Sequence, residues 1–209
     1  MDNRRARLRD ARLYYICGLG HLATIEPALR GGTDIFQLRD KHASDDELLR
    51  AAESVRALCD AHGALFIVND RPDLAVAAGA DGVHLGQDDM AIEEARAAVG
   101  GELLIGRSTH SPQQVDGAVG ADYIGVGPIH ATPTKRWRPA VGLELVRYAA
   151  ANAAVPFFAI GGLDAATLPD AVAAGAGRAA VVRAISEAAD PEAAARAVRG
   201  VLAVGDRVG

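Results

Sequence analysis

Cysteine is scarce: Cys17 and Cys59 are the only two in 209 residues. They lie far apart and in no metal-ligand spacing, so neither a disulfide framework nor a zinc site organises the chain. Cys59 shares a helical face with Leu48, Ala52 and Val55, which predicts a buried free thiol and suits a reducing cytoplasm. Long apolar runs are also missing. None reaches the ~20 residues of a membrane span, and Leu13–Cys17, after a basic start, is too short for a signal-peptide core. Nor is there a basic excess. Lys and Arg number 22 against 27 Asp and Glu, a net charge of −5, which leaves no general field for nucleic acid. Hydrophobic residues at 50% and charged residues at 23% are ordinary for one globular domain with a large core.

What the chain does have is alternation. Short β-type runs recur, each followed by a polar or Gly-rich loop and an Ala-rich helical pattern. The predicted strands are Leu13–Cys17, Ile35–Leu38, Leu65–Val68, Gly82–Leu85, Leu103–Gly106, Tyr123–Val126, Pro156–Ile160 and Ala179–Val182. Ser44-Asp45-Asp46-Glu47 is a capping box opening one helix, and Asp190-Pro191 opens the last. Three segments echo one another: Ala78–Val83, Gly120–Ile124 and Ala174–Ala179. Each closes a helix with Gly and feeds a strand. Most strands are continuously apolar, as in parallel sheets covered on both faces. Eight such units predict an α/β fold, a single-domain (β/α)8 TIM barrel over residues 13–204. Met1–Arg12, with five arginines, is expected to be a basic tail or a short helix. An open doubly wound sheet is the alternative. Gly18-Leu19-Gly20 supplies half of its phosphate turn, but His21-Leu22-Ala23 brings no third glycine.

In such barrels chemistry gathers at the carboxyl ends of the strands. The second strand runs into Gln37, Arg39 and Lys41, which point one way at period two and suit a polyanion. The third ends in Asn69-Asp70 and the fourth in His84-Leu85-Gly86-Gln87-Asp88-Asp89. Carboxylates on neighbouring strand ends suit magnesium, which takes one or two of them and completes its shell with water and phosphate; alternatively Asp70 or Asp88 caps the next helix. His84 is expected to pack or position rather than ligate. Ser108 offers a hydroxyl to phosphate. No Asp or Glu is fixed as partner for a Ser–His triad, so nucleophilic catalysis is rejected. The sixth strand leads into Gly125-Val126-Gly127-Pro128-Ile129-His130-Ala131-Thr132-Pro133-Thr134-Lys135, where Gly127 would allow close backbone approach to a ligand and the threonines and Lys135 would donate to phosphate. Gly161-Gly162 and Val182-Arg183 mark the loops that often hold a phosphate through backbone N–H groups. Two anion sites and no strong general base point to displacement of diphosphate from one substrate by a second, phosphorylated one.

From Leu13 to about Arg199 the sequence resembles the thiamine-phosphate synthase family. The resemblance rests on Gln37-Leu38-Arg39-Asp40-Lys41, Asn69-Asp70, His84–Asp89, Ser108, Thr132-Pro133-Thr134-Lys135 and Ile160-Gly161-Gly162. It implies a transferase of thiamine biosynthesis. Such an enzyme joins 4-amino-2-methyl-5-hydroxymethylpyrimidine diphosphate to a thiazole phosphate, plain or carboxylated, with magnesium required. It further implies that Gln37, Leu38, Arg39, Asp40, Lys41, Asn69, Ser108 and Lys135 hold the pyrimidine diphosphate, and that Arg39, Lys41, Ser108 and Lys135 act on its departure. Asp70 and Asp89 would bind the metal, with Asp88 the lesser candidate. Thr132, Pro133, Thr134, Gly162, Val182 and Arg183 would border the thiazole phosphate. The family route is dissociative: diphosphate leaves a pyrimidine-methyl cation, which the thiazole nitrogen attacks. The partners implied are small molecules, with no nucleic acid and no membrane, and the location is cytoplasmic; oligomeric state is not set. Two departures stand out: Arg183 where many members carry Ser, and the bulky, basic Lys135-Arg136-Trp137-Arg138. A thiazole tautomerase on the same barrel, or a non-catalytic regulatory binder, would need no diphosphate or metal site, against which Asn69, Asp70, Gln87 and Asp89 weigh.

Overall fold

The computed structural model describes residues 3–131 and 139–205. A helix, α1 (Asn3–Asp10), precedes β1 (Leu13–Cys17), followed by a 3-10 segment (Leu19–Thr24) and α2 (Ile25–Arg30). Then come β2 (Ile35–Leu38), α3 (Asp45–His62), β3 (Leu65–Asn69), α4 (Pro72–Ala77), β4 (Gly82–Leu85) and α5 (Ile92–Val99). The second half comprises β5 (Leu104–Thr109), α6 (Pro112–Asp116), β6 (Tyr123–Val126), α7 (Gly142–Asn152), β7 (Phe157–Ile160), α8 (Leu168–Ala173), β8 (Ala179–Val181), α9 (Arg183–Ser186) and α10 (Pro191–Gly205). The strands pair in chain order, all parallel, and β8 closes on β1. The fold is a (β/α)8 barrel.

Strand periodicity divides the apolar residues into two layers. Tyr14, Ile16, Ile35, Leu65, Ile67, Leu104, Tyr123, Phe158 and Ala180 fill the barrel interior. Tyr15, Phe36, Leu38, Phe66, Val68, Val83, Ile105 and Ile124 pack outward with helix residues such as Ala52, Val55 and Cys59. The Ser44 capping box forms, its hydroxyl accepting from Glu47 N while the Glu47 side chain accepts from Ser44 N. Cys59 is a buried free thiol. β5 is longer than its apolar run. Ser108 and Thr109 pair with Gly125 and Val126, and Thr109 Oγ1 donates to Gly125 O at 3.1 Å, so polar residues complete the strand.

The floor of the barrel explains the echoed segments. Asp34, Asp81 and Asp122 directly precede β2, β4 and β6. Each accepts a backbone N–H from the strand before it: Leu13 at 2.9 Å, Phe66 at 2.8 Å and Ile105 at 2.9 Å. Each also takes an arginine from an outer helix: Arg199 for Asp34, Arg56 for Asp81 (2.8 Å) and Arg96 for Asp122 (2.6 Å). At the fourth equivalent place, before β8, Arg178 donates instead to Ala11 O and Arg9 O. The basic start is therefore docked rather than a tail. Arg4 pairs with Asp81 at 3.0 Å and Arg5 with Asp122 at 2.9 Å, while Leu8 and Ala11 are buried against the interior layer. Arg4 and Arg5 are thus neutralised by carboxylates far along the chain.

Candidate active site

The strand ends open into a cavity of about 500 Å³, lined from β2 by Gln37 and Arg39, from β4 by His84, from the β5 loop by His110, and across the barrel by Gly161–Asp164 and Val182–Ala184. Gln37 is 1% exposed, held inside by the interior-facing parity it shares with Ile35. Among the described residues no hydrogen bond or ion pair engages the Arg39 guanidinium, so a cation in the wall of the cavity is left for an anion. Leu38 and Asp40 do not behave as ligand-facing side chains. Leu38 has the opposite parity and packs into the outer layer. Asp40 braces the loop, accepting from Leu19 N at 3.2 Å and His42 N at 3.1 Å.

Asp70 follows β3 with φ 62, a conformation uncommon outside glycine that concentrates at functional sites. Its N–H donates to His84 O at 2.8 Å, fixing the loop against β4. There its carboxyl meets that of Asp89, and Lys41 Nζ lies 3.0 Å from its Oδ2. Burial and the contact with Asp89 raise the Asp70 carboxyl above its usual range. Burial also works against charge on Asp89, but the hydrogen bond shared with Asp70 and the Gly86 N–H at 2.6 Å hold that carboxyl low. The pair thus shares one lysine, with Asp70 the more readily protonated member. Among the described residues no cluster of three or more His, Cys, Asp or Glu could hold a metal. A two-carboxylate oxygen set fits magnesium, which keeps several waters, better than it fits zinc. Gln87 donates to Ser108 O at 2.6 Å and Arg107 to Met90 O at 3.0 Å, so these two brace the β4 loop.

Inside the mouth runs a hydrogen-bonded chain that the strand pattern concealed. Gln37 Nε2 donates to Tyr14 OH; Tyr14 OH and Tyr123 OH are 2.9 Å apart; Tyr123 OH is 3.3 Å from His84 Nδ1; His84 Nε2 is 3.0 Å from Ser108 Oγ. His84 sits in the cavity wall, between Tyr123 and Ser108. Burial pushes both phenols far above the usual tyrosine range, so they stay protonated. The space for these rings comes from glycine. A Cβ on Gly106 would run into the Tyr123 ring and lie 2.5 Å from His84 Nδ1. Tyr14 and Tyr123 were not marked by sequence; the available signal was glycine at inward positions of β5 and β6.

Across the cavity, the β6 and β7 loops are stitched together: Ile129 N donates to Ile160 O at 2.9 Å and His130 N to Gly161 O at 3.1 Å. Gly127 lines the cavity and also serves this packing, since a Cβ there would strike the Ile160 carbonyl. Val141 N donates to Pro128 O at 2.8 Å, tying the far side of the same loop to its start. Thr132, Pro133, Thr134 and Lys135, with Arg136–Arg138, lie outside the described residues. Gly162 and Val182 line the cavity. Arg183, the first residue of α9, also lines it, but its guanidinium is exposed and reaches Glu187 only at 3.9 Å. Cys17 lies in the wall too, its thiol pushed up to about 11 by burial and so not a nucleophile at neutral pH.

Arg39 and the neighbouring Lys41–Asp70–Asp89 group on one side of the barrel face glycine loops on the other, at the carboxyl ends of the strands of a (β/α)8 barrel. The sequence profile described as thiamine monophosphate synthase matches residues 13–185, and the chain belongs to that family. It is 47% identical over 210 residues to the thiamine-phosphate synthase of Thermosynechococcus vestitus, covering 99% of this chain and 60% of that protein. It is 50% identical over 200 residues to the thiamine-phosphate synthase of Thermobifida fusca, covering 91% of this chain and 92% of that protein. The solved thiamine phosphate pyrophosphorylase of Pyrococcus furiosus superposes with a TM-score of 0.87 at 32% identity, covering 98% of this chain and 99% of that one. The first curated relatives are longer: the chain spans 55–60% of their length. Among the described residues no helix is long and apolar enough to cross a membrane.

Proposed function

We propose that the chain condenses 4-amino-2-methyl-5-hydroxymethylpyrimidine diphosphate with a thiazole phosphate to give thiamine phosphate and diphosphate. The observation that carries this reading is one cavity that brings Arg39 opposite the Gly161–Gly162 and Val182–Arg183 loops, with a Lys41–Asp70–Asp89 group at the neighbouring strand ends. The cations and carboxylates suit a diphosphate and the loops a single phosphate. Asp70 and Asp89 would hold a magnesium ion, which supplies positive charge to the departing diphosphate. Around it, Arg39 and Lys41 would add cations and Ser108 a hydroxyl, with Lys135, outside the described residues, as a further cation. The described site offers no activated nucleophile, which suits a dissociative route in which the chain positions two substrates and stabilises the leaving charge. The test is incubation of both precursors with and without magnesium. Thiamine phosphate should form only when both precursors and magnesium are present; isomerisation of the thiazole alone would favour the tautomerase reading.

A further inference from the structure

We propose that Lys41 is a resident counter-cation of the Asp70–Asp89 pair, which a divalent cation displaces from Asp70 and thereby frees to meet the diphosphate. This rests on the magnesium and diphosphate reading proposed above.

Lysine is rare in this chain. Of 22 Lys and Arg residues, only Lys41 and Lys135 are lysines. The fixed ion pairs of the fold are made by arginine: Arg56 and Arg4 with Asp81, Arg96 and Arg5 with Asp122, and Arg71 through both terminal nitrogens with Asp45. An arginine fork can grip a carboxylate with two parallel bonds, whereas an ammonium is a compact point charge on a flexible four-carbon stem. Asp70 is thus given a cation that can let go, where the rest of the fold uses cations that hold on.

The surroundings of this ammonium are braced, and the ammonium is not. Asp40 accepts from His42 N at 3.1 Å and from Leu19 N at 3.2 Å, which holds the backbone around Lys41. Asp70 N donates to His84 O at 2.8 Å, and Asp89 Oδ2 accepts from Gly86 N at 2.6 Å, so both carboxyls stand on tied loops. The Lys41 side chain is 53% exposed against 21% for Asp70, and among the described residues its ion pair is with Asp70, at 3.0 Å. Lys41 is therefore the movable member of the group.

A dication shared by Asp70 and Asp89 would crowd a second positive charge onto the carboxyl that Lys41 holds. Like charges at that range repel, and the ammonium is the one free to leave. Two carboxylates outweigh one ammonium, so the group as it stands disfavours an anion. With the dication bound the sign is reversed. Lys41 is then released at the strand end that also carries Arg39, a cation already in the cavity wall. Metal and diphosphate bind cooperatively, and Lys41 carries the coupling.

The test needs no substrate. Mn2+ stands in for magnesium, and the free ion is read by electron paramagnetic resonance. Lys41→Met removes the competitor and should tighten Mn2+ binding about fivefold, the upper end for an exposed pair. Lys41→Arg keeps the charge but can grip Asp70 with its fork, and should weaken binding by a like factor. A cation that only adds charge to the site predicts equal affinity for Lys41→Arg and wild type. That equality, or an unchanged affinity in Lys41→Met, overturns the proposal. With two lysines the movement itself is visible in 13C-lysine protein. The Lys41 Hε–Cε resonance, assigned with Lys41→Met, should shift under saturating Mg2+ to the position it takes in Asp70→Asn without metal. Methylene diphosphonate added next should move it a second time. A resonance unmoved by Mg2+ overturns the displacement, and the lack of a second shift overturns the coupling. If the wild type binds no Mn2+ at all, the magnesium reading itself fails; binding with Lys41 unmoved defeats the displacement alone.

Discussion

Lys41 Nζ lies 3.0 Å from Asp70 Oδ2, on a carboxyl that also meets Asp89. Two carboxylates and one ammonium leave the group short of positive charge, which a cation would supply. Asp70→Ala or Asp89→Ala should therefore lower magnesium-dependent turnover by roughly 10²-fold or more, the upper end of what even outer partners of a metal carry. Turnover against magnesium concentration, with circular dichroism to follow the fold, checks this. Unchanged turnover at limiting magnesium in either variant would remove the metal assignment.

Arg183 stands at the rim with its side chain exposed and a loose partner in Glu187. An exposed pair at that distance contributes little. Arg183→Ser should keep the KM for thiazole phosphate within about threefold, because backbone N–H groups are expected to make the contact. A much larger rise in KM, with kcat unchanged, would assign the phosphate contact to the guanidinium.

Gly106 is held small by the Tyr123 ring and His84. Gly106→Ala should overpack the interior and cost about 1–3 kcal/mol of stability. It should also slow turnover even at temperatures where the variant is fully folded, since both displaced rings belong to the Ser108 chain. Thermal melts and rates measured on the same sample separate the two effects; full activity would mean the rings can shift without consequence.

Asp81 is buried, and burial alone would raise its carboxyl. The Phe66 N–H, Arg56 and Arg4 outweigh that and hold it below its usual value. A carboxyl depressed in the folded state stabilises fully above its unfolded pKa of about 3.9, and that stability is lost as pH falls through the lower folded value. Asp81→Asn should cost about 3 kcal/mol near neutral pH, as expected for breaking a buried pair. It should also flatten the fall in stability below about pH 4. Urea unfolding across an acidic pH series measures both, and an unchanged acid limb would show that Asp81 is not a source of the pH dependence.

The barrel was legible because its signal is local. β1, β2, β4 and β6 have the limits that their apolar runs predict. Of the residues read at the strand ends, Arg39 does line the cavity and the Asp70 and Asp89 carboxyls do meet. Three features were hidden because their partners are distant in sequence. Arg4 and Arg5 find Asp81 and Asp122 across the floor. Ser108 belongs to a strand that polar residues lengthen. Tyr14 and Tyr123 pass for apolar strand residues until closure of the barrel brings their hydroxyls within 2.9 Å. Gly127 carries a second demand the sequence could not show: its smallness also answers to the Ile160 carbonyl of the neighbouring strand.

The most direct measurement is a single-turnover quench of the enzyme with the pyrimidine diphosphate, thiazole phosphate and magnesium, quantifying diphosphate and thiamine phosphate in the same samples. The account predicts one diphosphate for each thiamine phosphate, with the yield of both abolished in Asp70→Ala. Thiazole consumed with no diphosphate released, or thiamine phosphate formed equally well without the Asp70 carboxylate, would contradict it.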